Sequence, residues 1–185
     1  MASNDRARLL ALLVDRSYAK RDVVLASGRR SDFFIDCKQA VLTAEGHALV
    51  GSVMLDALGA LTPAPVAVAG VELGGCPLAS AVALVSFQQG RPLDAIYVRK
   101  EAKEHGSARQ LEGNTRLPPG SAVVILEDVV TTGGSTLKCA EKLRAAGYAI
   151  SGVVALVDRS EGGRDAIEAA GLALVTCFTR NDFPH

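Results

Sequence analysis

Tryptophan is absent from the 185 residues and aromatic side chains make up only 4% of them, so the interior has to be built from Val, Leu, Ile and Ala. Charge of one sign is not in excess either: Lys and Arg number 20, Asp and Glu 20, and the formal net charge is zero. That excludes a general nucleic-acid binder driven by bulk positive charge and leaves room only for a local basic patch. Long apolar runs are missing. The first, residues 9–14 between Arg8 and Asp15, is too short for a signal-peptide core, and no stretch of about 18 apolar residues follows it. The expectation is a soluble, cytoplasmic chain with no membrane and no nucleic-acid partner. Cys37, Cys76, Cys139 and Cys177 stand too far apart for a CxxC metal or redox pattern, and read as buried or half-buried free thiols in a reducing compartment. Neither GxGxxG nor GxxxxGK[ST] occurs, which removes the dinucleotide fingerprint and the P-loop.

What is present is globular in proportion, with 49% apolar and 22% charged residues. Short β-branched runs alternate with amphipathic stretches, the pattern of a largely parallel α/β sheet covered by helices. Asn4 or Asp5 is expected to cap a first helix reaching about Arg16, with Leu9, Leu10, Leu12 and Leu13 as its apolar stripe. Extended segments are expected at 23–26 and 33–37 around the turn Ser27-Gly28-Arg29-Arg30. Thr43 can cap a helix over 44–58 that Pro63 and Pro65 close off. Buried strands are expected at 66–71, 95–98, 123–126 and 153–157, helices at 78–88, 135–146 and 163–170, and a last strand at 172–177. Residues 1–185 read as one domain, with about 1–40 an appendage to a core of about 41–175. Residues 99–119 form a long polar, non-periodic stretch, and loops of that length in compact domains are usually functional.

The most informative segment runs through Glu127, Asp128, Val129, Val130, Thr131, Thr132, Gly133, Gly134, Ser135 and Thr136. An apolar strand leads into two carboxylates, a Thr/Gly/Ser turn and a helix. Ligands of open α/β sheets bind beyond the carboxyl ends of strands, and exposed amides and hydroxyls at a helix start suit a phosphate. Two acids would repel a phosphate alone. They make sense holding the hydroxyls of a sugar whose 5′-phosphate sits in the turn, where they also favour positive charge on that sugar and offer Asp128 to Mg²⁺, directly or through water.

This segment resembles the ribose-phosphate motif of the type I phosphoribosyltransferases, which implies their parallel-sheet α/β fold with a small N-terminal hood over residues 1–40. Within that group, Arg99-Lys100-Glu101-Ala102-Lys103-Glu104-His105-Gly106 is similar to the catalytic loop of the orotate phosphoribosyltransferases. Read alone, such a mixed-charge run is a solvated face; beside a diphosphate its cations can close over the leaving group. Ser27 to Asp36 resembles the segment by which that family covers the pyrimidine, implying Phe34 as the ring contact. Arg159, just after an apolar run, matches an arginine facing orotate, and Thr131 joins the orotate contacts. The stretch with Val71, Glu72 and Leu73 matches the pyrophosphate loop. Two positions depart from some relatives, which carry lysine where Ala26 and Leu73 stand here.

The resemblance implies transfer of a 5-phosphoribosyl group from phosphoribosyl diphosphate to orotate, with Mg²⁺ as cofactor. It also implies a homodimer whose loop 99–119 is shared across the interface. Arg99, Lys100, Lys103 and His105 would contact the diphosphate, Asp128 would share in catalysis, and one of Lys103 or His105 would give the leaving group a proton. Two other readings stand beside it. A purine or uracil phosphoribosyltransferase is disfavoured by the 99–106 run and Arg159. A non-catalytic nucleotide-sensing regulator of the same fold is disfavoured by the neutral charge.

Overall fold

Six strands form one sheet in the computed structural model, which describes residues 2–24, 30–101, 110–113 and 117–184. In chain order the elements are α1 (Ala2–Arg16), β1 (Tyr18–Val24), β2 (Arg30–Ile35), α2 (Lys38–Val41), α3 (Ala44–Ala57), β3 (Ala67–Val71), α4 (Gly75–Gln88) and β4 (Asp94–Val98). They continue with β5 (Leu111–Gly113), β6 (Ala122–Val130), α5 (Gly134–Ala145), β7 (Ala149–Asp158), α6 (Gly163–Ala169) and β8 (Leu174–Thr179). The sheet order is β5-β4-β3-β6-β7-β8. Every pair is parallel except β4 with β5. Strand order reverses direction between β3 and β6, and a crevice at such a switch point is where open α/β sheets take their ligands.

Burial on both faces explains the near-continuous apolar strands. All of β3 is buried, as are residues 151–158 of β7. One face carries α1, α3 and α4 over Val68, Val124, Leu126 and Leu156, and the other carries α5 and α6 over Val123, Ile125 and Ala155. Each such aliphatic side chain contributes about 1.5–3 kcal/mol by leaving water.

The expected alternation of strands and helices is found, with differences at the edges. Helix α1 already starts at Ala2, so Asn4 and Asp5 lie inside its first turn and not at its cap. The Asp5 carboxylate instead accepts a bond from Ser52 Oγ at 2.9 Å. Leu9 and Leu13, one turn apart, are fully buried, while Leu10 and Leu12 are only partly so. Thr43 does cap α3, its hydroxyl accepting from the Gly46 amide at 3.0 Å. The extended pair near the start is an antiparallel hairpin lying earlier than 23–26 and 33–37, with Tyr18 opposite Ile35 and Lys20 opposite Phe33.

Strand β6 runs past residue 126 through both acids to Val130. Its register with β7 continues from Glu127 opposite Ala155 to Val130 opposite Asp158, so pairing overrides the poor strand propensity of carboxylates. The stretch 99–119 is also less bare than expected. Strand β5 pairs Leu111 with Val98, and the Arg99 amide donates to the Gln110 carbonyl at 2.9 Å. The loop core carrying Lys103 and His105 lies outside the described residues.

Candidate active site

The two acids are neighbours whose carboxyl groups lie within hydrogen-bond reach of each other, yet they differ in burial and in their other partners. Glu127, only 4% exposed, turns toward α5, where its Oε2 accepts from Ser135 Oγ at 2.9 Å and Thr136 Oγ1 at 3.0 Å. Burial, and after it the charge of Asp128, pushes the Glu127 carboxyl up to about 8. Asp128 is half-buried and turns toward the loop after β3; its Oδ1 accepts from the Val129 amide at 3.0 Å. A Cβ built on Gly74 would lie 1.9 Å from Asp128 Oδ2, so any larger residue there would force this carboxylate to shift.

Beyond β6 the chain turns at Gly133, whose φ of 80° is left-handed, and enters α5 at Gly134. Thr131 is half-buried, while Thr132, Gly134 and Ser135 are exposed. These residues form a strand–turn–helix cradle with the amides of the first helical turn directed outward, ready for an anion. Val130 belongs to it only through its backbone, because its side chain is buried against Gly163. Val71 is likewise a core residue, whereas Glu72 is half-buried and Leu73 is 64% exposed. The Glu72–Leu73 peptide bond is cis.

Arg159 sits beside the cradle: its amide donates to the Val130 carbonyl at 3.0 Å. Its side chain is buried, with Nη2 donating to the Phe33 carbonyl at 2.7 Å and forming an ion pair with Glu161 at 3.1 Å. Asp158, its neighbour, pairs with Arg164 instead at 3.6 Å. Phe34 is half-buried on the hairpin, and the Arg21 guanidinium covers its ring at 3.7 Å. Phe33, by contrast, is only 2% exposed and serves the core.

Arg99 and Lys100 follow directly on the end of β4. They line a cleft of about 330 Å³ between the end of β4 and α5, together with Ser135, Lys138 and Lys142. Arg99 pairs with Glu112 at 3.8 Å. The backbone here is held from two sides. Lys142 Nζ donates to the carbonyls of Arg99 and Lys100 at 2.7 and 2.8 Å, and the Lys100 amide donates to Glu72 Oε2 at 2.8 Å. Lys142 escaped the reading from sequence. The available signal was the spacing of Lys138 and Lys142, one turn apart on the helix after the cradle.

Among the described residues no three His, Cys, Asp or Glu side chains converge to hold a metal. Glu127 is buried with its Oε2 taken by two hydroxyls, and the half-buried Asp128 is the more accessible carboxylate of the pair for a cation's hydration shell. Mg²⁺ is typically bound in this way, through one or two carboxylates, substrate phosphates and water. All four cysteines are free thiols, and no described helix is long and apolar enough to cross a membrane.

Residues 47–170 match the phosphoribosyl transferase domain family. The orotate phosphoribosyltransferase of Sorangium cellulosum (strain So ce56) is 68% identical over 181 residues, covering 98% of this chain and 94% of that one. Among solved structures, Mycobacterium tuberculosis H37Rv orotate phosphoribosyltransferase in complex with Fe(III) dicitrate superposes with a TM-score of 0.81 at 36% identity, covering 96% of this chain and 98% of that one. The same mycobacterial enzyme in complex with 5-phospho-alpha-D-ribosyl 1-diphosphate gives 0.78 at 30% identity, covering 100% and 94%.

Proposed function

The chain belongs to the orotate phosphoribosyltransferase family, and from that membership we propose which residues carry the reaction. It is a pentosyltransferase of pyrimidine biosynthesis, moving a 5-phosphoribosyl group from phosphoribosyl diphosphate to N1 of orotate and releasing pyrophosphate. The observation that carries the assignment of residues is the acid pair at the switch point, set between the β3 loop and the Thr131–Ser135 turn.

The turn of Thr131, Thr132, Gly133, Gly134 and Ser135 anchors the 5′-phosphate through amides and hydroxyls at the start of α5. Asp128 faces the sugar, accepts hydrogen bonds from its hydroxyls, and favours the positive charge that grows at C1 as the bond to pyrophosphate lengthens. Glu127 acts behind it: its bonds to Ser135 and Thr136 fix the turn to the strand. Val71, Glu72 and Leu73 present the loop that faces the diphosphate. Arg99, Lys100, Lys103 and His105 meet the leaving group's charge, with Lys103 or His105 supplying its proton. Arg159 and Phe34 hold orotate, the first through its carboxylate and the second against its ring, with Thr131 at the edge. Mg²⁺, when bound with the diphosphate, neutralises part of its charge, and Asp128 is the residue that would steady its water shell.

The whole chain acts as one domain, with the β1–β2 hairpin and α1 as a hood. It works as a cytoplasmic homodimer that shares loop 99–119, a reading supported by the free thiols and by the exposed Leu84, Phe87 and Tyr97 on the α4–β4 flank. The test follows orotate consumption by its ultraviolet absorbance with phosphoribosyl diphosphate, with and without Mg²⁺, and with uracil, hypoxanthine and adenine in parallel. Loss of orotate that requires both the diphosphate and Mg²⁺ is the expected result. Turnover of another base in place of orotate would overturn the roles given to Arg159 and Phe34.

A further inference from the structure

A two-stranded hairpin is marginal by itself and needs packing from elsewhere. Here much of that packing comes from the far end of the chain. After β8, Thr179 and Asp182 close a short turn, the Asp182 carboxylate accepting from the Thr179 amide at 2.7 Å and its hydroxyl at 3.1 Å. Arg6 of α1 reaches Asp182 at 3.4 Å and the Cys177 carbonyl at 2.9 Å, tying the turn to the body. This directs Phe183, 2% exposed, against two rings of the hairpin. Its centroid is 5.3 Å from Phe33, edge-on at 81°, and 5.5 Å from Tyr18, while Tyr18 and Phe33 are 5.2 Å apart. Around this trio Tyr18 Oη donates to the Pro184 carbonyl at 2.7 Å, and Arg180 pairs with Asp32 while its guanidinium lies 5.7 Å from the Phe33 ring.

Phe33 is the pivot. Its ring is held by the tail, its carbonyl accepts from Arg159, and its neighbour in β2 is Phe34, whose side chain leaves the strand on the opposite face. We propose that the C-terminal tail, through Phe183, is a positioning device for the pyrimidine end of the site: it fixes Phe33, and thereby sets both Arg159 and Phe34. This rests on the orotate roles given above to those two residues. None of the tail residues reaches the Thr131–Ser135 turn in any bond described, so the device acts on one substrate only.

The experiment measures KM for each substrate separately in Phe183→Ala, Phe183→Tyr, Tyr18→Phe and Arg180→Met, with Arg159→Ala as the reference. Phe183→Ala is expected to raise KM for orotate about 10-fold, with KM for phosphoribosyl diphosphate within about twofold of the parent. Phe183→Tyr keeps the ring but adds a hydroxyl at a site only 2% exposed, so its KM for orotate should fall between the parent and Phe183→Ala. Tyr18→Phe and Arg180→Met each remove one tie and leave the rings packed, so they should give a smaller rise, about threefold, with the same selectivity. Should Phe183→Ala fail to fold, these two variants carry the test alone. Equal changes in both KM values, or no change in orotate KM while Arg159→Ala weakens orotate, overturns the tail's role and leaves the site reading standing. An Arg159→Ala enzyme with unaltered orotate KM overturns the site reading, and this proposal with it.

Discussion

The half of the site assigned to the ribose phosphate is made from one contiguous run, Glu127 to Thr136, in which strand, turn and helix bond to each other directly. The half assigned to the pyrimidine has no such continuity. Phe34 comes from the hairpin and Arg159 from the end of β7. The bond that joins their elements, Arg159 to the Phe33 carbonyl, spans 126 residues of sequence. The first half is rigid because its parts cannot separate without breaking local bonds. The second is rigid only while distant elements stay docked, so its failures should be selective for one substrate and spread over residues that touch no ligand.

The sharpest way to break that contrast is within the contiguous half. Asp128→Asn removes the charge proposed to face the sugar and should lower kcat about 10²-fold or more, as for other preorganised charge-stabilising groups. Gly74→Ala should act in the same direction without changing any charge, because its Cβ would occupy the space of Asp128 Oδ2. Steady-state kinetics on both variants checks this. Parent-like turnover in Asp128→Asn would remove the acid from the mechanism.

Next in size is Arg159→Ala. A hydrogen bond to a charged group is worth about 1.5–3 kcal/mol, so KM for orotate should rise ~10–100-fold and KM for phosphoribosyl diphosphate should stay near the parent. If both move together, Arg159 is only the brace between β7 and the hairpin that its bonds to Phe33 and Glu161 already make it. A smaller effect is expected for Lys142→Met, which frees the Arg99 and Lys100 carbonyls. KM for the diphosphate substrate should rise about fivefold with orotate unaffected, since network members that touch no ligand typically shift coupling by about 0.5–2 kcal/mol.

The same contrast explains what could be read from sequence. The cradle was legible because its chemistry is contiguous: apolar strand, acids, hydroxyls and glycines stand in order, and the fold only had to bend them. The parallel sheet was legible from its buried aliphatic runs. Strand β5 was not, being three residues, Leu-Glu-Gly, with no periodicity to display. The end of β6 was misplaced because strand pairing with β7 carries two carboxylates that propensity alone would leave in a loop. Arg159 could be located, but its partners could not: nothing near residue 159 points to the carbonyl of Phe33, and nothing near Phe33 points to Phe183.

Glu127 offers the finest test, since it separates two acids that sequence treats as equals. Burial lifts its carboxyl from the usual 4.5 to about 8. Between those values the folded protein keeps a proton that the unfolded chain has already released. Unfolding therefore sheds a proton, and stability falls as pH rises through that window. Below it both states are protonated and above it both are ionised, so the slope vanishes at either side. Glu127→Gln keeps a carbonyl oxygen for Ser135 and Thr136 but cannot ionise. Denaturation midpoints at about pH 5, 6.5 and 8 should decline for the parent across this range relative to the variant. Parallel curves would mean that Glu127 is charged throughout, and that the hydroxyls of Ser135 and Thr136 outweigh its burial.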